Sequence, residues 1–371
     1  MRRWTQAIFW LAALWVAAAC TYQKIPSTDL WWLLADGRLI AENGSIPKAD
    51  PFSWTHPGTP WHNDQWLAGW LFYSLYTVAG IGGLHALKSL LLVATLGLAM
   101  DTGRRLLGSN APFPPLLWAL LITITCSEGR YFFDVRAYLF SYLFLSLLWR
   151  WLLLHETLPW WRIALLFTVW ANLHGGVTSG VLLLTLEALS SPAQRRRPLL
   201  GCAVLALLCC CLNPSGFWLL WHPLQLLGSQ WSRYLNEWQP AWRRPDLYIL
   251  HFTHLGLWIL CWLTRPRDRH DRTLAWFALF SLTGWRHIPL FALLSLPRWA
   301  SKLAWRWPAW TCWLTFAVAL GLSGTRPLQL TDPAQSMEKS MFPYWAVNFL
   351  EQNPLPGRLF HPYGLGGYLC W

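Results

Sequence analysis

Residues 137–154 read AYLFSYLFLSLLWRWLLL, a continuous apolar run in which Arg150 is the one charged side chain. A helix needs about 20 mostly apolar residues to cross the hydrocarbon core of a bilayer, so this run is close to the length of one span. Runs of similar character recur along nearly the whole chain, separated by short stretches that contain Pro, Gly and charged residues. The pattern predicts an all-α, polytopic transmembrane helix bundle.

The composition agrees with this interpretation. The 371 residues are 55% hydrophobic and 12% charged, whereas soluble domains carry about 25% charged residues. A net charge of +12 would suggest nucleic-acid binding in a soluble protein, but here the Arg and Lys residues punctuate the apolar runs. Cytoplasmic loops of membrane proteins have this pattern, so we expect membrane lipid and no nucleic acid as partners. The cysteines lie mostly inside the apolar runs without CxxC pairs, which is typical of small packing residues.

The charge distribution predicts about 11 spans with a cytoplasmic N-terminus and an extracytoplasmic C-terminus. Residues 1–324 form the predicted transmembrane domain, with the first outer loop at 23–80, and 325–371 form a short extracytoplasmic segment. The spans are predicted at 4–22 (an uncleaved first helix), 81–101, 112–127, 137–154, 158–172, 176–190, 199–212, 247–264, 273–285, 289–301 and 305–322. With this assignment, Lys and Arg outnumber Asp and Glu on the cytoplasmic side and balance them outside.

Three segments need separate predictions. Residues 66–79 are short for a crossing, so we expect an interfacial or dipping segment, with a crossing followed by a turn at 80–83 as the alternative. Residues 276–297 are expected as two spans, or alternatively as a single span that contains Arg286. The tail is expected to form an amphipathic helix, a Pro/Gly turn and a short apolar strand.

The predicted outer side collects the ionisable residues that are candidates for chemistry. They are Asp29, Asp36, Asp50, His56, His62, Asp64, Glu128, Arg130, Asp134, Arg136, His174, His222, Arg233, Glu237, Arg243, Arg244, Arg286 and His287. Carboxylates can take a proton from an acceptor or hold a divalent cation, and an arginine fork can bind phosphate. The combination suggests transfer of a group that is carried on a lipid phosphate.

Several candidates have a purely structural alternative. Asp29 could be only an N-cap of an interfacial helix, and Asp134 could belong to a local charge cluster with Arg130 and Arg136. Asp50 before Pro51 is typical of a turn. Asp64 with His56 and His62 could form a metal site, although loop histidines at this spacing are usually not ligands. Close helix packing could explain the glycines of NLHGG.

The order of these features resembles the GT-C superfamily of membrane glycosyltransferases, and the first loop resembles a bacterial family of GT-C-like proteins. The resemblance rests on the pattern D-x-W-W-x-L-x-x-G-R-x-I…G-x-I-P-x-x-D-P-F-S-x-T. The matching residues are Asp29, Trp31, Trp32, Leu34, Gly37, Arg38, Ile40, Gly44, Ile46, Pro47, Asp50, Pro51, Phe52, Ser53 and Thr55, with Gly58, Trp61, Trp66 and Leu67 after them. Further blocks are ANLHGG, NPSG, EWQP, RHIP and the terminal GGYLCW, where we expect relatives to continue.

The resemblance implies a glycosyltransferase of the bacterial inner (plasma) membrane that belongs to the cell envelope. It would move a sugar from a polyprenyl-phosphate donor to an extracytoplasmic glycan, lipid or protein acceptor. Asp29 and Asp134 would be catalytic, and a divalent cation would be a possible cofactor whose ligands the sequence does not identify. Substrate would be bound by Arg286, Trp31, Trp32, Arg38, Arg130, His174 and His287, with the first loop lying as a lid on the membrane surface. The alternative is a non-catalytic membrane protein, either a lipid-linked glycan transporter or a scaffold subunit.

Overall fold

The computed structural model describes residues 27–108, 115–229, 234–243, 245–302, 342 and 344–371. Throughout this part the chain forms helices and loops without β-strands, and one isolated antiparallel bridge pairs Ala49 with Pro60. The all-α prediction is therefore confirmed. The predicted spans 4–22 and 305–322 lie outside the described residues.

The described helices follow the apolar runs. They are α1 Asp29–Asn43, α2 Trp66–Leu107, α3 Pro115–Gly129, α4 Tyr138–Leu154, α5 Trp160–Leu173, α6 Val177–Ser190, α7 Ala193–Cys210, α8 Trp218–Gly228, α9 Pro245–Thr264, α10 Arg269–Thr283, α11 Ile288–Lys302, α12 Tyr344–Gln352 and α13 Gly366–Cys370. Each run predicted as a span between 112 and 301 coincides with one of these helices, because Pro, Gly or charged residues end each run.

Helix α2 is broken at Gly80, whose φ of 59° and ψ of −157° are not helical. A Cβ placed on Gly83 would lie 3.3 Å from Leu75 Cδ1, although residues eight apart in a straight helix are separated by about 12 Å. The chain therefore bends sharply at the predicted boundary between 66–79 and the span 81–101. Whether residues 66–79 dip or cross stays a prediction.

One end of the bundle carries a layer built from the first loop. Helix α1 packs against the start of α2, and α13 packs on α1. The α1–α2 crossing is close because both helices have glycine there: a Cβ on Gly37 would lie 2.1 Å from Gly69 O. We call this the loop-1 end.

Ion pairs join the connections at the opposite end. Glu156 pairs with Arg195 and, over 2.8 Å, with Arg269, while Arg298 pairs with Asp268 over 2.6 Å. Arg272 also donates to Ser190 O over 2.5 Å. Helices α4 to α7 and α9 to α11 therefore run alternately between the two ends.

A buried polar network joins four helices inside the bundle. Glu128 of α3 contacts His251 Nδ1 at 3.0 Å and His254 Nδ1 at 2.7 Å, both on α9. The Nε2 atoms of these histidines contact Ser281 of α10 at 2.9 Å and Ser295 of α11 at 3.1 Å. All three ionisable side chains are at most 3% exposed, so the network fixes the relative positions of these helices.

Among the described residues, one helix, Trp66–Leu107, is long and apolar enough to cross a membrane. Shorter apolar helices are Tyr138–Leu154, Val177–Ser190 and the Tyr248–Thr264 part of α9. Several helices also expose large apolar side chains, among them Trp160, Trp161 and Leu165 of α5, Val204 and Leu208 of α7, and Ile249, Leu260 and Leu263 of α9.

One alternative and one expectation from the sequence have a clear structural outcome. The backbone of Gly284 is extended and Trp285–His287 form a 3-10 turn, so 276–297 is not one continuous helix. The strand expected at the end of the tail is wrong, because Gly366–Cys370 form α13. A single apolar segment with no partner strand cannot satisfy its backbone as a strand, whereas a helical turn satisfies it locally.

Candidate functional site

A cavity of about 480 Å³ opens at the loop-1 end of the bundle. Its wall combines α1, the segment 132–142, the connection 174–179, α8, the 3-10 turn Asn236–Trp238 and the segment 280–290. Small-molecule sites have volumes of about 300–1,000 Å³, so the cavity is of ligand-binding size.

Four charged side chains of alternating sign form a row along this wall. Asp29 is ion-paired with Arg136. Arg136 Nη1 lies 3.8 Å from Glu237 Oε2, and Glu237 Oε1 lies 3.2 Å from Arg286 Nη1. We call Asp29, Arg136, Glu237 and Arg286 the charged row, and each member is partly exposed to solvent.

Aromatic rings and backbone hydrogen bonds hold both arginines of the row. The Arg286 guanidinium lies 4.4 Å from the centroid of the Trp238 ring, and that of Arg136 lies 4.9 Å from the Tyr138 ring. Trp285 donates from its backbone to Gln239 O over 3.0 Å and from Nε1 to Asn236 O. The turn that carries Glu237 is thereby fixed to the turn that carries Arg286.

His174 lines the cavity as a neutral imidazole of defined tautomer. Its Nδ1 accepts from Gly176 N at 3.0 Å and contacts Ser141 Oγ at 2.7 Å, while Trp170 Nε1 donates to the same hydroxyl over 2.7 Å. The ring proton is therefore on Nε2. Burial, with Arg286 and Arg136 nearby, lowers the pKa of His174 to about 3.

His287 lines the same cavity in the opposite tautomer. The Thr283 hydroxyl donates to Phe280 O over 2.7 Å, so it accepts from His287 Nδ1 at 3.1 Å and leaves Nε2 as an acceptor. The ring stacks on Phe280 with 3.9 Å between centroids. Burial and the charge of Arg286 lower the pKa of His287 to about 3.

Asp64 is a second carboxyl group at the cavity. Burial raises its pKa, although hydrogen bonds from its own backbone, from Gln65 and from the Gly175 backbone favour the charged form. A Cβ on Gly175 would lie 2.5 Å from Asp64 Oδ2, and one on Gly176 would lie 2.5 Å from His174 Nδ1. The glycines of NLHGG therefore make room for these two side chains.

A stack of three rings forms another part of the wall. The Trp218 ring lies 3.9 Å from the ring of His62 and 4.2 Å from that of His222, at interplanar angles of 9° and 19°. Both faces of the indole are covered by imidazole, so a ligand in the cavity can reach only its edge.

Asp134 lies behind the cavity wall rather than on it. It is 5% exposed, and burial raises its pKa, while Lys88 and hydrogen bonds from the Val135 and Ser27 backbones favour its charged form. The bond to Ser27 connects Asp134 to the residues that precede Asp29. Arg136, which the sequence places in a possible local charge cluster with Asp134, is paired with Asp29 and faces Glu237 instead.

Of the nine predicted site residues, the structure brings Asp29, His174, Arg286 and His287 together at the cavity. Trp31 packs edge-on against Phe342 and Tyr368, with centroid distances of 5.6 and 5.1 Å, and Trp32 packs against Phe52 at 5.1 Å. Arg38 binds the carbonyls of Cys370 and Trp371, and Arg130 lies over Tyr131. These four and Asp134 do not line the cavity.

The structural alternatives of the first loop have different outcomes. Asp29 is the first residue of α1 and makes no capping bond, since the N-cap position belongs to Thr28. Asp50 is a turn residue, because its Oδ1 accepts from Phe52 N at 2.8 Å and from Ser53 N at 3.1 Å. His62 stacks on Trp218, and among the described residues it does not join Asp64 and His56 in a group that could hold a metal ion.

A divalent cation would need several converging oxygen or nitrogen ligands. In the part of the chain that the structure describes, no group of three or more His, Cys, Asp or Glu side chains is arranged to hold a metal ion. At the cavity, Asp29 is already bound to Arg136 and Glu237 to Arg286. The described residues therefore do not fit a cation site.

The principal cavity residues absent from the predicted site are Asp64, Arg136 and Glu237, with Ser141, Tyr138 and Tyr142. The three charged residues are on the predicted outer side, so their expected position at one end of the bundle was the only indication in the sequence that they could share a site. The other three lie inside or beside an apolar run, and nothing in the sequence indicates that they line a cavity. Comparison of the chain with protein-family models, curated proteins and solved structures gave no match.

Proposed function

We propose that this chain is a GT-C-like polytopic membrane glycosyltransferase, which moves a sugar from a polyprenyl-phosphate donor to an extracytoplasmic acceptor. The observation that carries the proposal is the cavity at the loop-1 end, in which a carboxylate at the start of the first loop and an arginine of RHIP belong to one charged row. These two residues are 257 positions apart by their numbering and were assigned to one site by the resemblance.

The proposed membrane setting has independent support from the exposed apolar side chains on α5, α7 and α9. Large exposed apolar surfaces mark contact with lipid or partners. The charges at the opposite end are rich in arginine, as expected for a cytoplasmic face. In this proposal the chain crosses the bacterial inner membrane about 11 times with the loop-1 end outside.

The reaction needs one proton acceptor and one group that stabilises the leaving phosphate. An acceptor hydroxyl oxygen attacks the anomeric carbon, and the bond from that carbon to the phosphate oxygen breaks with its electron pair on polyprenyl phosphate. The Asp29 carboxylate takes the hydroxyl proton, and Arg286 stabilises the negative charge that develops on the phosphate. Asp134 holds the Ser27 backbone, so in this proposal it positions Asp29 from outside the cavity.

The test compares wild type with Asp29→Asn for release of polyprenyl phosphate from a panel of labelled lipid-linked sugars, at equal expression in membranes. We expect the variant to lose about 10²- to 10⁴-fold in turnover, as for removal of a general base. Asp101→Asn is the matched control, because it also removes an ion-paired carboxylate, there bound to Arg105 and Arg150 at the opposite end.

Each outcome has a defined meaning. Loss in Asp29→Asn alone supports the enzyme and the role of the first loop. If wild type, Asp29→Asn and Asp101→Asn all have equal turnover, the proton acceptor is a residue other than Asp29, and Asp64 is the next carboxyl group to replace. Absence of turnover by wild type on the whole panel would favour the non-catalytic alternative.

A further inference from the structure

Glu237 lies at the centre of the charged row, and the proposed reaction gives it no role. Its two carboxylate oxygens lie against different guanidinium groups, Oε1 at 3.2 Å from Arg286 and Oε2 at 3.8 Å from Arg136. A carboxylate between two arginines has the charge and the oxygen spacing of a bound anion. Glu237 is 29% exposed at the cavity wall, so a ligand can reach the same place.

The two arginines are held independently of Glu237. Arg286 rests on the Trp238 ring, and Arg136 rests on the Tyr138 ring and binds Asp29. Removing the carboxylate therefore leaves two guanidinium groups that still face one space. Planar guanidinium forks suit phosphate, which they can bind through two parallel N–H···O bonds.

We infer that Arg136 and Arg286 form one anion site for a phosphate or diphosphate group, and that Glu237 occupies this site until the ligand displaces it. The inference rests on the proposed function, because it assigns the anion as the head group of the lipid-linked donor. It adds a second arginine and a competing carboxylate to that site.

The electrostatics of the wall make Glu237 the decisive charge. His174 and His287 are neutral at physiological pH, since burial and the nearby arginine charges lower the pKa of each to about 3. The positive charge of the cavity therefore comes from Arg136 and Arg286, and each is neutralised within the charged row. An anion gains a net attraction only when a carboxylate leaves the row.

Rotation of the Glu237 side chain is the movement that opens the site. The backbone around it is fixed, because Trp285 is bonded to Asn236 O and Gln239 O on either side of the turn. The Glu237 side chain can turn toward solvent without moving Arg286, whose own turn contains Trp285.

The experiment measures binding of inorganic phosphate, inorganic pyrophosphate and a short-chain polyprenyl phosphate to the purified full chain in detergent. Glu237→Gln keeps the shape of the side chain and removes its charge, so we expect binding about tenfold tighter, the equivalent of about 1.4 kcal/mol. Arg136→Gln and Arg286→Gln should each weaken binding. Glu351→Gln, on the exposed face of α12 and away from the cavity wall, is the matched control and should bind like wild type.

Tighter binding of all three probes would assign the site to phosphate chemistry in general, and tighter binding of the polyprenyl phosphate alone would assign it to the lipid head group. Unchanged or weaker binding by Glu237→Gln would overturn the inference. The readout does not need turnover, so a chain without transferase activity could still show the site. Conversely, if the chain is an active transferase and Glu237→Gln leaves its KM for the donor unchanged, the anion site is absent although the proposed function holds.

Discussion

Arg38 and Trp371 join the first loop to the tail across 333 positions of the chain. Arg38 Nη1 donates to Trp371 O over 3.2 Å, Nη2 donates to Cys370 O over 3.0 Å, and the guanidinium lies 4.9 Å from the Trp371 ring centroid. Two of the sequence blocks that carry the family resemblance, one in α1 and one in α13, are therefore in direct contact.

We predict that Arg38→Gln releases the tail from α1. Hydrogen bonds from a charged donor contribute about 1.5–3 kcal/mol, so the variant should unfold at lower temperature and residues 353–371 should be cleaved faster in limited proteolysis. Lys48→Gln removes a positive charge from an exposed position in the same loop and should behave like wild type. Equal cleavage of Arg38→Gln and wild type would contradict the prediction.

The close crossing of α1 and α2 predicts an unusual cost for the smallest possible substitution. Gly37→Ala would place a Cβ 2.1 Å from the Gly69 carbonyl oxygen, and backbone cannot move aside as a flexible side chain can. We expect a loss of about 1–3 kcal/mol in unfolding free energy.

Gly201→Ala is the matched control for this crossing, because Gly201 is also helical and a Cβ there meets nothing within 4 Å. It should stabilise the chain by about 0.5–1 kcal/mol through helix propensity. Denaturant unfolding of both variants measures the difference. A neutral Gly37→Ala would show that α1 and α2 do not cross as closely as the structure has them.

The sequence predicted the helices well and the contacts of the cavity only in part. Apolar runs bounded by Pro, Gly and charge depend on local composition, so α3 to α7 and α9 to α11 could be placed from the sequence, whereas α8 was not predicted. The sequence could not predict that Arg136 is the ion-pair partner of Asp29, because the packing of α4 against α2 brings these two residues together. Asp134 is buried behind the cavity wall and Arg136 lines the cavity, although they are two residues apart. The loop that carries them is neither helix nor strand, so no periodicity predicts the directions of their side chains.

The Glu128 network provides a prediction about stability inside the bundle. Glu128→Gln removes the charge that both His251 and His254 contact, and breaking a buried pair of this kind costs about 3–5 kcal/mol. Glu156→Gln is a close control, because Glu156 also contacts two basic side chains but is 74% exposed. It should cost about 1 kcal/mol or less. Thermal unfolding of the two variants in the same detergent measures this difference. Equal losses of stability in both variants would show that burial does not make the Glu128 contacts stronger.

Asp36 predicts a dependence of stability on pH. It accepts from Asn63 Nδ2 over 2.6 Å, and burial raises its pKa from 3.8 to about 6 despite this hydrogen bond. Between these two values the folded chain binds more protons than the unfolded chain, so the contribution of Asp36 to stability falls as pH rises through this window. The total loss is about 3 kcal/mol, at about 1.36 kcal/mol per unit of pKa.

Asp36→Asn should remove this contribution. We expect the variant to be more stable than wild type at pH 7 and close to it at pH 4, since a neutral amide replaces the protonated acid and can keep the contact with Asn63. Unfolding free energies at the two pH values test this. A variant that is less stable than wild type at pH 7 would show that the ionised carboxylate stabilises the fold.

A straight helix over Trp66–Leu107 would have 42 residues and a length of about 63 Å, roughly twice the hydrocarbon thickness of a bilayer. The positive φ of Gly80 divides this length into two shorter helical segments. The position of this one glycine therefore determines where the segment that packs against α1 ends and where the segment inside the bundle begins. A residue with a side chain at position 80 would strain this backbone, favour the undivided helix and move the layer at the loop-1 end away from the cavity that it borders.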